Sequence, residues 1–346
     1  MSQTFGELDL IAQIRAAHTR SAAGKRSTKP SLILGIGDDC AILRPPRGHE
    51  IVVTTDFSLE GRHFLRTLHP PEAVGHRVLA RGLSDLAAMG ATPLAAFLSL
   101  ALPSDIPATR SGRAWLSRFF TGFNGLAAAY SVSLAGGDTS ESPSAHILAD
   151  IVMLGSAPAG RALRRSGSYR SARGGDALYV TGHLGGSAAE LAALKHRGKL
   201  SSTHNSSRTA APNPHPHLYP QPRLVVGQAL LRRKLATACI DLSDGLSTDL
   251  THLCEESHLG AEIHASTLPI HPLAAASPNS LALALNGGED YELLFAAPAS
   301  ARFPGTIAGV PVTRIGTLTH KRSITLIGLD GRKQQLPAGG WEHFVR

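Results

Sequence analysis

Aromatic residues are scarce in this chain, at 5% of 346 positions, and cysteine is scarcer, with three. Cys40, Cys239 and Cys254 form no CxxC pair and cannot all pair with one another. That argues against a disulfide framework and for a reducing, cytoplasmic setting. No stretch reaches the run of about 18 uninterrupted apolar residues that a membrane helix requires. The opening MSQTFGELDL also lacks the basic-then-apolar pattern of a secretory signal, so no membrane partner is expected. The phosphate cradles that sequence alone can identify are missing too: there is no GxxxxGK[ST] loop, no GxGxxG after a strand, and no HRD or DFG set. A nucleotide bound by this chain needs a different grip.

What remains is an ordinary globular composition, 42% hydrophobic with a mean hydropathy near zero, in a chain long enough for two domains. The formal net charge is +8, which raises the alternative of a basic nucleic-acid-binding protein. Few aromatics, no zinc-finger spacing and no RNP-like motif weigh against it. The densest basic stretch, GRALRRSGSYRSARGG at 160–175, suits the phosphates of a small ligand equally well. No nucleic-acid partner is expected, and the excess charge reads as a solvated surface.

Along the chain, TFGELDLIAQIRAAH predicts a helix, with Thr4 and Glu7 at capping-box spacing and Leu8, Ile11 and Ile14 at helical intervals. A polar, basic loop over 19–30 leads to the apolar run SLILGIG. Strands at EIVVTTD, LSLAL, YSVSLAGGD and SAHILADIVMLG then alternate with helices over 72–89 and 110–129, an α/β pattern. Composition shifts near Pro158, dividing the chain into domains 1–157 and 158–346. Beyond it DALYVTG predicts a strand, HLGG a turn, and SAAELAAL a helix with its own capping box at Ser187 and Glu190. The stretch 201–222, rich in Ser, Pro, Asn and His, predicts a mobile loop in which His204, His215 and His217 are solvent-exposed rather than metal-binding.

The carboxylates have a repeated grammar: an apolar strand, a small or polar residue, then Asp. Asp38 and Asp39 follow SLILGIG, Asp56 ends IVVTTD, Asp138 ends SLAGGD, and Asp241 and Asp244 lie in IDLSDG. Asp85 belongs to a helix, in LSDL. Strand ends form the ligand crevice of open α/β sheets. Carboxylates gathered there need cations, because each isolated buried charge costs several kcal/mol or more. Mg²⁺ suits an all-oxygen set shared with substrate phosphates. The bland alternatives are a helix cap for Asp244, ahead of the apolar stripe Leu246, Leu250 and Leu253, and an ion pair with Arg81 or Arg77 for Asp85. Of Asp38 and Asp39, neighbours on an extended chain, only one can face a given ion.

GIGDDCAIL, TTDFSLEGRHF, LSDLAAMGATP, AGGDTS, GRALRRSG, YVTGHLGGSAAEL, IDLSDGLSTDL and NGGEDYELLF occur in an order that resembles the thiamine-monophosphate kinase family. That family is a branch of the aminoimidazole ribonucleotide synthetase and selenophosphate synthetase superfamily. The resemblance covers nearly the whole chain. It implies an α/β (α+β) fold of two domains, with an N-terminal ATP- and Mg²⁺-binding domain that forms a β-barrel across a homodimer. The C-terminal α/β domain would contribute nucleotide and substrate binding. The implied reaction is direct in-line transfer of a phosphoryl group from ATP to thiamine monophosphate, with several Mg²⁺ ions and no covalent nucleophile. By the same resemblance Asp39, Thr54, Thr55, Asp56, Asp85, Asp138, Asp241 and Asp244 are metal ligands, and Asp56, Asp85 and Asp138 assist transfer. Gly137, Asp138, Arg165 and Ser243 would hold ATP; His63, Glu289 and Trp341 would line the thiamine monophosphate pocket. Gly82 departs from the family pattern, in which Asn is frequent. An alternative is another ATP-dependent synthetase of the superfamily, with an acceptor such as formylglycinamidine ribonucleotide.

Overall fold

A computed structural model describes residues 31–36, 39–167, 169–197, 212–342 and 344. The helix expected over the first fifteen residues, the basic loop 19–30, Asp38 and His204 lie outside the described residues. Two compact units emerge. One comprises the described residues up to Leu83 together with Thr92–Ser156; the other comprises Ser84–Ala91 and the chain from Ala157 onward.

The first unit carries β1 (Leu32–Leu34), β2 (Ile42–Leu43), β3 (His49–Leu59), β4 (Thr92–Leu102), β5 (Leu134–Glu141) and β6 (Leu148–Pro158). β1 and β2 form a small antiparallel pair. The others make a four-stranded sheet in the order β3-β6-β4-β5. β4 runs antiparallel to β6 and parallel to β5. Alternation is clear on β6, where Ala149, Ile151 and Met153 are all but inaccessible. The helix Pro71–Ala88 lies on that apolar face, and Gly82 marks the closest approach: a Cβ there would sit 2.4 Å from Met153 Cγ. Packing therefore accounts for glycine at this position. Helix Arg110–Tyr130 supplies Phe119, Phe120 and Phe123, stacked edge to face. Thr109 caps it by accepting from Gly112 N.

The second unit holds β7 (Ala177–Thr181), β8 (Ala238–Asp241), β9 (Gly260–His264), β10 (Leu293–Ala297), β11 (Thr306–Ile307), β12 (Val310–Thr319), β13 (Ile324–Ile327) and β14 (Lys333–Gln335). Their order is β14-β13-β9-β12-β7-β10-β8, with β11 beside β12. Among the described residues of this unit only β13 and β9 are parallel; the other pairs are antiparallel. The alternation of helix and strand in sequence thus gives mixed, mostly antiparallel sheets rather than a parallel one. β7, β8 and β10 are buried at every residue, as strands covered on both faces must be. Helix Leu246–Ser257 covers part of this sheet through the expected stripe Leu246, Leu250 and Leu253. Among the described residues no sheet closes into a barrel.

The capping box expected at Ser187 and Glu190 does not form. Helix Gly186–Arg197 already includes Ser187, and its first amides are taken by a distant carboxylate: Asp290 accepts from Gly185 N at 2.6 Å and from Ser187 N at 3.1 Å. Glu190 serves another loop. Burial pushes the Asp290 carboxyl up to about 7, although both amides pull it back down.

Candidate active site

In the first unit the expected strand-end carboxylates lie inside strands. Asp56 sits three residues before the end of β3, and Asp138 lies midway along β5. β3 alternates, so Thr54 and Asp56 share one half-buried face, where Asp56 lies 3.5 Å from Arg81 Nη2. Thr55 points to the opposite, exposed face and donates to Asp150 Oδ1 at 2.8 Å. One ion therefore cannot take both threonine hydroxyls; Thr55 would have to offer its carbonyl. Asp138 is exposed, paired in register with Ser99 of β4. The preceding Gly137 has φ +150°, and a Cβ on it would come within 1.8 Å of Leu98 O. No side chain fits there without parting the two strands. Asp39 is exposed. His63 is half-buried, with Nδ1 accepting from Leu59 N at 3.0 Å, which leaves Nε2–H as its donor.

The second unit gathers more of the set. Asp241, the one strand-ending carboxylate of the grammar, is 6% exposed and accepts from Ser84 Oγ at 2.7 Å. Ser84 and Asp85 belong to the last turns of helix Pro71–Ala88, so the helix brings Asp85 next to the residue that touches Asp241. Burial, reinforced by the charge of Asp241, pushes the neighbouring Cys239 thiol far up, and burial does the same to Cys254, to about 12. Both are inert thiols under neutral conditions.

The turn after β8 is held by a residue that the sequence patterns do not single out. Asp249, in the first turn of helix Leu246–Ser257, accepts from the backbone N–H groups of Ser243, Asp244 and Gly245 at 3.0, 3.1 and 3.1 Å. The Asp244 side chain makes no cap; Gly245 occupies that position. Burial, then the negative charge of Asp244, raise the Asp249 carboxyl to about 7 against the pull of those amides. Two further segments converge on the turn. Glu289 N donates to Ser243 O at 2.7 Å, and Trp341 N donates to Asp244 O at 2.9 Å. Gly339 and Gly340 fasten the tail to Ser247 Oγ and Thr248 Oγ1. Glu289 and Tyr291 both adopt positive φ, +65° and +50°, unusual for residues bearing side chains. The structure thus unites Ser243, Asp244, Glu289 and Trp341, whose indole is half exposed. Arg165 is exposed, its carbonyl accepting from Ser257 Oγ.

The expectation of exposed histidines in 201–222 fails for the part that is described. Glu190, buried, accepts from His217 N at 2.7 Å, Leu218 N at 3.2 Å and His215 Nδ1 at 2.8 Å. His217 is 1% exposed. Proline content suggests mobility, yet one buried carboxylate with three donors anchors this loop.

Among the described residues no three His, Cys, Asp or Glu side chains form a ready metal-ligand group. The convergence of carboxylates expected from the sequence is therefore present only in parts: Thr54 with Asp56 in one unit, and in the other Asp241 bonded to Ser84, the chain neighbour of Asp85. The chemistry of these parts suits a hard cation nonetheless. All donors are oxygen, and Asp244 already raises the pKa of its neighbour Asp249.

Residues 37–157 match the AIR synthase related protein N-terminal domain, and residues 173–328 match the corresponding C-terminal domain. The fold and the Asp-bearing turns accordingly define a two-domain protein of the AIR synthase related class. The thiamine-monophosphate kinase of Escherichia coli (strain K12) is 39% identical over 98% of both chains. The crystal structure of that kinase from Stenotrophomonas maltophilia K279a superposes with a TM-score of 0.76 at 32% identity, covering 95% of this chain and 98% of the other. The structure of AaThiL complexed with AMPPCP and TMP gives 0.71 at 29% identity over 99% of each. This chain belongs to the thiamine-monophosphate kinase family.

Proposed function

We propose that this protein transfers the γ-phosphoryl group of ATP to the phosphate of thiamine monophosphate, yielding thiamine diphosphate and ADP. The observation that carries this reading is the stitched cluster of Ser243, Asp244, Glu289 and Trp341, drawn from separate stretches onto one turn. A relative that binds AMPPCP and TMP supports it. The acceptor phosphate is already anionic, so no Ser, Cys or His nucleophile is required. What must be overcome is repulsion between two phosphates.

Asp39, Asp56, Asp85, Asp138, Asp241 and Asp244, with oxygens of Thr54 and Thr55, would hold several Mg²⁺ ions. When bound, these supply charge neutralisation of both phosphates. Arg165 presents a guanidinium able to fork onto phosphate oxygens. Gly137 leaves the backbone beside Asp138 open to a nucleotide, and Ser243 offers a hydroxyl from the fixed turn. His63 would offer Nε2–H to the substrate, Glu289 would accept from the aminopyrimidine, and Trp341 would stack on the cationic or aromatic rings of thiamine. Residues 1–157 would carry most of the ATP and metal contacts, and 158–346 would add nucleotide and substrate contacts.

The working form is a homodimer, joined along β3, with a β-barrel shared between copies. β3 is the edge of its sheet, eleven residues long. Its outer face shows Ile51, Val53 and Phe57 at 41%, 60% and 61% exposure, a liability for a lone chain. Phe57→Asp is expected to halve the mass measured by light scattering; an unchanged mass places the dimer contact elsewhere.

Incubating the protein with ATP, Mg²⁺ and thiamine monophosphate should release thiamine diphosphate and ADP in equal amounts, resolved by ion-exchange chromatography. Turnover of formylglycinamidine ribonucleotide in its place selects a different branch of the class.

A further inference from the structure

His217 belongs to the loop of the second unit that Glu190 anchors. Its imidazole is buried, with Nδ1 3.0 Å from Ser187 Oγ and 3.4 Å from Glu289 Oε2. A bare ring nitrogen facing a carboxylate at that distance would set lone pair against negative charge. The tautomer protonated on Nδ1 removes the conflict, with Ser187 Oγ as a second acceptor. Glu190 fixes the ring's position by taking the His217 and Leu218 amides. The Glu289 backbone is held through Ser243 O, in a left-handed conformation. Its side chain remains 23% exposed and faces His217 on its inner side.

We propose that His217 is a positioning residue for the substrate-binding carboxylate of Glu289. The Nδ1–H fixes one carboxylate oxygen, so that the outer face accepts a hydrogen bond from the amine-bearing ring of the substrate. Glu190 and Ser187 fix the imidazole in turn, and the histidine never touches the substrate. The proposal rests on the reading that Glu289 contacts thiamine monophosphate.

Kinetics of four variants test it. His217→Leu keeps the bulk of the ring but removes the donor. Its KM for thiamine monophosphate should rise by about tenfold, the usual worth of one oriented hydrogen bond. Its kcat and its KM for ATP should stay within about twofold, a split that general loosening of the fold does not produce. His217→Asn, whose amide reaches the Nδ1 position, should recover most of the loss. Glu289→Gln should raise the same KM, and adding His217→Leu to it should cost nothing more, because partners in one interaction are not additive. If Glu289→Gln raises KM while His217→Leu does not, or if the two effects simply add, the positioning role is wrong and the Glu289 reading stands. If Glu289→Gln leaves KM unchanged, the reading of Glu289 fails first, and the role given to His217 falls with it. Should His217→Leu not fold, His217→Asn and Ser187→Ala carry the comparison. Asn should then stay within about threefold of the parent, and Ala should raise only the thiamine monophosphate KM; the reverse pattern overturns the proposal.

Discussion

Asp241→Asn should lower the rate of thiamine diphosphate formation by on the order of a thousandfold or more, the scale on which a pre-placed charge at a transferring phosphate acts. The same substitution should leave the melting temperature unchanged or raise it. Both halves follow from the environment. Asp241 is buried, accepts one hydroxyl hydrogen bond from Ser84, and helps push the Cys239 thiol up. Burying its charge carries a desolvation cost for the folded chain. Asn keeps the shape and can still accept from Ser84 Oγ, while the desolvated charge disappears. A residue kept for packing would show the opposite pattern, a loss of stability with activity largely intact. Asp85→Asn and Asp138→Asn share the kinetic expectation. A variant that turns over at nearly the parent rate removes its residue from the chemistry.

Glu292→Ala is the change expected to harm the fold most. Glu292 begins the approach to β10 and is 4% exposed. It accepts from Thr181 Oγ1 and Arg223 Nε, both at 2.6 Å, and from Arg223 Nη2. Alanine would remove the carboxylate that pairs with the Arg223 guanidinium, whose side chain is 15% exposed. Breaking one side of a buried pair typically costs about 3–5 kcal/mol. The neighbouring His183 and His271 are held below the usual histidine range, chiefly by burial. Urea unfolding followed by circular dichroism should report this loss. Glu292→Leu combined with Arg223→Met should recover much of it, since a well-packed apolar pair avoids both desolvation penalties. A loss below about 1 kcal/mol for Glu292→Ala would mean that the pair is far better solvated than its burial implies.

Local pattern made much of the fold legible. Apolar runs located β3 to β8 and the helices over 72–89 and 110–129, because burial and period act within a few residues. The pattern misjudged features set by distant partners. Sequence spacing gave helix Gly186–Arg197 a capping box, but Asp290, 105 and 103 residues away from the amides it caps, does the work. Asp56 and Asp138 read as strand ends because each follows an apolar run, yet hydrogen bonding to neighbouring strands continues past them. His217 looked exposed among prolines; the buried Glu190 carboxylate reverses that. Of the candidate site, the residue identities came from motif resemblance, whereas the contacts that hold them, Ser84 on Asp241 and Asp249 on the Ser243–Gly245 turn, are tertiary. No single-sequence spacing encodes the first of these, which joins positions 157 residues apart.

Dependence on divalent ions is the most direct test of the central claim, that these carboxylates serve this reaction by holding cations between two phosphates. Thiamine diphosphate formation should be measured at fixed ATP and thiamine monophosphate while Mg²⁺ is raised from a chelated zero. The expected result is no product without the ion, steep onset as it is added, and a marked shift of that onset to higher Mg²⁺ for Asp85→Asn. Product formation at an undiminished rate in excess chelator would contradict it.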